Sequence, residues 1–434
     1  MPVSEEPVQD QAAEAPIAPA PARIYPIHGS LSSSYRARTV SGDHDHDLTE
    51  TLSLDFGDPA KDAWTGHVMT RLNGDLDGGQ NDGRSRFHDL NDIDGETLVP
   101  RLYDAWVEAH EIGPLESLRL GRQTMWDTPV FAWFDGASAR TAPVGPRALQ
   151  LGIYGGVPVH PYESSSSGDS IAGAYVQAQP WKGGRGRLDW MHLEDRGDLG
   201  SHSNDLWRAS VWQAFGKQLR ADGWFTGLEG EERDWFARVS WVNEKSDFTI
   251  TASWFELLTT QRDLAPEIDP FFTTLFELFP YRQARLLASK DFTEWVNVQV
   301  GIDTREVDDS NDVGRFNRDS DREFATLTLS DLTAAHVDLS LTGEKWNGDG
   351  SDIQTWGFDV TRRFGHDFRA SIGSYYALFK VDSFLVDERD HVRTGYLRFR
   401  WHRTTNTTWD LRYEVEDTDD ETFHFLRVGM TWAF

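Results

Sequence analysis

The chain ends Leu426-Arg427-Val428-Gly429-Met430-Thr431-Trp432-Ala433-Phe434. Its even positions are bulky and apolar, and its odd positions are polar or small, which is the period-two signature of a strand with two unlike faces. The same alternation recurs upstream. Trp409, Leu411, Tyr413 and Val415 interleave with Asp410, Arg412, Glu414 and Glu416, and Leu397, Phe399 and Trp401 interleave with Arg398, Arg400 and His402. Farther back, Trp356, Phe358 and Val360, then Val337, Leu339 and Leu341, then Val296, Val298, Val300 and Ile302 repeat it. Charges on successive alternate positions are intolerable in lipid and natural in a wet lumen. A β-sandwich turns its apolar face to a core, but does not accommodate this many strands without splitting into several domains.

The terminal aromatic, Phe434 with Trp432 behind it, resembles the carboxy-terminal signal by which outer-membrane barrels are recognised for assembly. Composition agrees with a barrel. The 434 residues carry a net charge of −29, yet include 18 Trp, 25 Phe and 11 Tyr; mean hydropathy is −0.54. Low hydropathy with abundant aromatics is what results when only every second strand residue meets lipid. No apolar run approaches the ~18 residues of a spanning helix. The absence of cysteine removes disulfides, thiolate metal sites and cysteine nucleophiles. The acidity argues against nucleic acid, which needs clustered Lys and Arg.

Long polar connections at 41–47, 73–96, 157–169, 196–205, 259–283 and 308–321 alternate with tight turns at 58–62, 113–116, 182–184, 216–218, 246–247 and 365–367. Long extracellular loops and short periplasmic turns have that rhythm. The expected fold is all-β, a transmembrane antiparallel barrel of about 22 strands over 24–434; the segment 125–149 is hard to divide and leaves 18 or 20 open. Residues 1–23 hold Glu5, Glu6, Asp10 and Glu14 and a Pro/Ala stretch. They read as a flexible periplasmic tail with no hydrophobic signal core, so an export signal is expected to have been removed or to lie upstream of this start.

One segment carries a family resemblance. Leu118-Arg119-Leu120-Gly121-Arg122-Gln123 followed by Phe134-Asp135-Gly136-Ala137 resembles the motif of alginate-export-type and related substrate-specific porins. The resemblance covers roughly twenty residues and implies a monomeric barrel that moves a solute or polymer across the outer membrane. Read from the residues alone, Gly121 relieves packing inside the barrel, while Arg119 and Gln123 are polar lumen positions.

Alternation also turns Arg398, Arg400, Arg412 and Arg427 inward on the final strands, with Asp410, Glu414 and Glu416 on the same side. Two outcomes follow: a positive stripe that attracts anions, or a salt-bridge lattice that stiffens the wall. The lattice, with a weak cation preference set by acidic mouth loops, is the expectation. Asp75, Asp77, Asp82, Asp89, Asp92, Asp94 and Glu96 crowd one such loop, and Asp308, Asp309, Asp312, Asp319 and Asp321 another; neither has calcium-loop spacing. His44 and His46, among Asp43, Asp45 and Asp47, read as an exposed turn lacking ligand convergence. The 259–283 segment is apolar, and Phe271, Phe272, Phe276 and Phe279 suggest a constriction inside the lumen or a cap at its mouth. Serines 164–167 lack a glycine elbow and a histidine partner, so neither an enzyme nor a cofactor is expected.

The expected function is therefore a passive outer-membrane channel for hydrophilic solutes or for export of a polymer, with the strands beginning too early to leave room for a plug domain. The alternative is a sheath for a partner such as a multihaem cytochrome; the chain has no Cys-x-x-Cys-His, so haem would belong to the other subunit. Expected partners are outer-membrane lipid and lipopolysaccharide, the barrel assembly machinery and, in the alternative, a periplasmic partner or cytochrome.

Overall fold

The structure, a computed structural model, describes residues 27–77, 87, 97–159, 168–197, 200–259, 279–308, 317–332, 336–348, 351–382 and 387–434. These form 22 strands: β1 (Ile27–Val40), β2 (Asp43–Phe56), β3 (Trp64–Asp75), β4 (Leu98–Ile112), β5 (Leu115–Met125), β6 (Ala132–Thr141), β7 (Gln150–Pro158) and β8 (Ser170–Ala178). Next come β9 (Gly184–Gly197), β10 (Gly200–Phe215), β11 (Leu219–Leu228), β12 (Glu231–Asn243), β13 (Phe248–Leu257), β14 (Tyr281–Thr293) and β15 (Val296–Val307). The series ends with β16 (Ser320–Leu332), β17 (Val337–Gly348), β18 (Ser351–Phe364), β19 (Phe368–Asp382), β20 (Asp387–Thr404), β21 (Thr407–Asp417) and β22 (Thr422–Ala433). Each pairs antiparallel with its sequence neighbours, and β1 pairs with β22 to close the ring. The described residues include no helix.

Closure runs in register from Ser30 opposite Ala433 to Val40 opposite Phe423. It is finished by the terminal residue itself, where the Gly29 and Phe434 amides each donate to the other's carbonyl at 2.9 Å. The Phe434 ring lies over Gly29, whose missing side chain makes the space: a Cβ there would stand 2.6 Å from the ring.

Two faces follow from the pleat. Outside, Leu188, Val211, Val300, Ile302 and Ile372 remain 44–52% exposed, an apolar belt without a protein partner. Aromatics flank it at both ends: Trp190, Trp207 and Trp356 toward one rim, and Trp64, Trp181, Trp295 and Trp432 toward the other. That is the lipid band and paired aromatic girdle of a transmembrane barrel. With every strand paired on both sides, no open edge meets hydrocarbon. The protein is a β-barrel of the bacterial outer membrane.

Two expected loops are strands. Residues 41–47 reduce to a two-residue turn, Ser41 and Gly42 with φ of 47° and 95°, and β2 begins at Asp43. Consecutive positive φ values match the turn to the strand twist. Residues 196–197 and 200–205 likewise belong to β9 and β10, with Gly197 paired to Gly200. Both stretches looked like loops because, at strand ends beside a turn, beyond the apolar belt, polar residues can occupy both faces. The segment 125–149 resolves into β6 and a short bridge from Val144 to Leu149, which fixes the count at 22. Residues 1–23 lie outside the described residues.

Because the last residue closes the seam with a reciprocal backbone pair and a ring set over Gly29, deleting Phe434 or replacing it with Asp is expected to reduce folded, heat-modifiable protein in outer membranes several-fold. Undiminished folded yield from the Asp variant would show that the terminal aromatic is dispensable for assembly.

Candidate lumen site

The inner face is built of cross-strand rungs, because directly paired residues point to the same side. In one rung Arg398 pairs with Arg412, Arg412 with Arg427, Arg427 with Arg36 across the seam, and Arg36 with Asp47. Four arginines thus stand side by side on β20, β21, β22 and β1. One step along, Arg363 pairs with Arg369, Arg369 with Arg400, and Arg400 with Asp410. Unit charges about 4 Å apart repel by roughly 1 kcal/mol in water and about 4 kcal/mol near a protein surface, so such a rung is costly unless carboxylates intervene.

They intervene unevenly. Arg36 Nε donates to Asp47 at 2.9 Å, and Arg38, almost wholly buried, is held by Asp45 and lies 3.6 Å from Asp47. Arg400 meets Asp410 at 2.7 Å. Glu414 is shared: it pairs tightly with Arg412 and reaches Arg398 at 3.8 Å. Glu416 serves Lys380 and Arg389, the latter at 2.6 Å. Arg427 has a hydroxyl where the others have a carboxylate, its Nε donating to Ser34 Oγ at 2.9 Å. Carboxylates therefore pair with several of these arginines, with gaps at Arg427 and Arg369 among the described residues.

Arg119, on β5, pairs with Glu108 through Nε at 2.8 Å and stacks on Trp106 at 3.9 Å. Gln123 is sealed from solvent, and its Oε1 accepts from Ser138 at 2.7 Å. Between them Gly121 takes a φ of +122°, and a Cβ there would fall on the Ala105 carbonyl. It pairs with Gly136, which pairs with Gly156, so three glycines in one rung let these strands approach closely.

The opposite wall is apolar. Phe134, Tyr154, Ile171, Met191, Leu193 and Leu206 form one buried cluster on the inner faces of β6 to β10. Residues 126–131, between β5 and β6, fold inward over it: Val130 joins the cluster, and Thr128 Oγ1 donates to the Val130 carbonyl at 2.5 Å. Arg208, on β10, locks this stretch down. Its Nη1 donates to the Thr128 carbonyl at 2.9 Å and its Nη2 to that of Pro129, while Arg187 stands 3.9 Å from Asp127. Near the seam, Phe87 is buried against Val40 and Phe423, and Arg38 stacks on its ring at 5.1 Å.

The inward-folded stretches described are thus not the one expected. Phe271, Phe272 and Phe276 lie outside the described residues; Phe279 is seen, its amide donating to Asn317 Oδ1 at 3.0 Å. His44 and His46 sit in strand β2 rather than an exposed turn. The pleat turns Asp45 and Asp47 inward to the arginines and His46 outward, where its Nδ1 meets Tyr35 Oη at 2.8 Å. No group of three or more His, Asp or Glu among the described residues could hold a metal. The most crowded parts of both acidic loops lie outside the described residues.

Arg36, Arg38, Arg369, Arg187 and Arg208 escaped the sequence reading. Alternation on β1 and β10 could have turned the side chains inward, but nothing in one sequence marks Arg36 as the neighbour of Arg427 or Arg208 as the partner of two main-chain carbonyls.

No family model matches the chain, nor does any curated protein. Among solved structures it is similar to the translocation pore of the P pilus usher PapC, with a TM-score of 0.52, 9% identity and coverage of 94% of this chain and 99% of that one. It also matches OccK1 (OpdK) of Pseudomonas aeruginosa, with a TM-score of 0.46, 11% identity and coverage of 94% and 98%. A BenF-like porin from Pseudomonas fluorescens Pf-5 gives 0.45, 11%, 94% and 98%. At these identities the likeness to the usher pore is one of fold.

Hydrogen bonds from a charged donor contribute about 1.5–3 kcal/mol each. Replacing Arg208 with Ala is therefore expected to raise amide hydrogen exchange in residues 126–131 by about ten- to a hundred-fold, with the strands of the distant seam unaffected. Unchanged exchange would mean that the apolar cluster alone holds the stretch.

Proposed function

We propose that the protein is a passive outer-membrane channel for hydrophilic solutes. The observation that carries this reading is solvent inside the ring. Arg398, Arg400 and Arg412 point away from lipid, yet their side chains keep 42%, 55% and 45% of their accessible surface. Charged groups exposed on the inner face of a closed barrel require a water-filled lumen, and barrels of this strand number enclose a wide one.

Small solutes fit better than a threaded polymer or a cytochrome core. Residues 126–131 and Phe87 occupy inner cross-section on two separate walls, space that a sheathed protein would need. The arrangement narrows an aqueous path without closing it with a domain among the described residues.

Purified barrel in planar bilayers is expected to conduct in discrete steps, with a larger step for Arg208→Ala. A barrel that stays silent in the bilayer, or one that purifies with haem absorbance from a bound cytochrome, would overturn the channel reading.

A further inference from the structure

We propose that the lumenal wall from β19 across the seam to β1 is a binding site for multivalent oxoanions, a phosphate group or a short dicarboxylate, centred on Arg369, Arg398, Arg412 and Arg427. The inference deepens the channel reading by naming a solute class, and it rests on the lumen being aqueous. A cavity of about 430 Å³ lies at this place, lined by Arg369, Arg398, Arg400, Arg412 and Arg427 with Ser34 and Asp410 among its other walls. Five guanidinium groups thus meet one carboxylate in the lining, and Glu414 beyond it is already divided between Arg398 and Arg412.

The charge imbalance is not required by the fold. Like charges directly opposite one another destabilise a sheet, and the continuation of this rung beyond Arg398 and another inner rung both show the alternative. Ser32 pairs with Thr431 by a 2.8 Å hydroxyl bond, and Thr361 with Ser371 at 2.7 Å. Hydroxyls would have filled the arginine rung at no electrostatic cost. Instead, Arg427 finds only the Ser34 hydroxyl, and neither it nor Arg369 has a carboxylate partner among the described residues. These are donors left waiting for an anion.

Geometry then selects the class. Adjacent strands are about 4.8 Å apart, so neighbouring arginines can hold two oxygens of one ligand, each with a planar fork suited to phosphate or carboxylate. Chloride or a monocarboxylate fills only part of the rung. Such a site coexists with weak overall preference for small cations, because it acts through local donors and the acidic surplus of the chain acts through the long-range field.

The test measures current and binding separately. In KCl, millimolar inorganic phosphate or succinate is expected to block open-channel current at concentrations at least tenfold below acetate. Arg412→Gln and Arg427→Gln, checked for heat-modifiable folding, should each raise the half-blocking concentration at least tenfold. A conducting channel indifferent to phosphate and succinate overturns the site and leaves the channel reading intact. Calorimetric titration of the folded barrel with phosphate reads the site without conductance. Heat of binding that disappears in Arg427→Gln supports the site even if no current is seen, whereas no heat, or heat that the variants leave unchanged, overturns it.

Discussion

Every backbone amide and carbonyl in a bilayer must find a partner within the protein, and a sheet achieves this only by having no edge. Closure of β1 on β22 is therefore the interaction on which the rest of this structure depends. The seam is continuous from Ser30 to Val40, and Phe434 adds a final reciprocal pair with Gly29. Once the ring closes, each strand has one face in lipid and one in water. The same joint that satisfies the backbone also brings Arg36 beside Arg427, so the charge pattern of the lumen is completed by the fold's most non-local contact.

That dependence explains what could be read from the sequence. Period-two alternation revealed the barrel, the inward direction of Arg398, Arg400, Arg412 and Arg427, and a strand number near 22, because facing is a property of one strand at a time. Polarity failed as a guide to loops. Asp43 to Asp47 is polar at every position, yet it is a strand with acids facing arginines and histidines facing out. Which side chains meet depends on register and closure, and neither leaves a mark in the composition of one segment. Arg208 is harder still to foresee, since its partners are main-chain carbonyls that any residue could offer.

The lumen is divided by chemistry. On β6 to β10 the inner face is a packed apolar cluster under an inward-folded stretch; half the ring away, on β19 to β1, it is charged and wet. An apolar inner surface left open to water would be unfavourable at about 25 cal/mol per Å², so residues 126–131 cover it, and Arg208 satisfies carbonyls that the covering turn cannot pair within a strand. The narrowing stretch and the apolar wall thus require each other: without the cluster the stretch has no seat, and without the stretch the cluster meets solvent.

The same logic makes sense of a chain with net charge −29 that concentrates arginine on its inner wall. A carboxylate lattice would be compatible with water-filled walls, but it would repel any anion entering from either rim. Arginine on alternate inner positions neutralises the lattice locally, as Asp47, Asp410 and Glu416 show. Where neutralisation stops, at Arg427 and Arg369, the wall changes from scaffold to surface with unspent donors. Stability alone would have placed hydroxyls there, as it does at Ser32 and Thr431. The difference between those two rungs, on the same pair of strands and only four residues apart on β22, separates the part of the lumen that holds the barrel together from the part available to a solute.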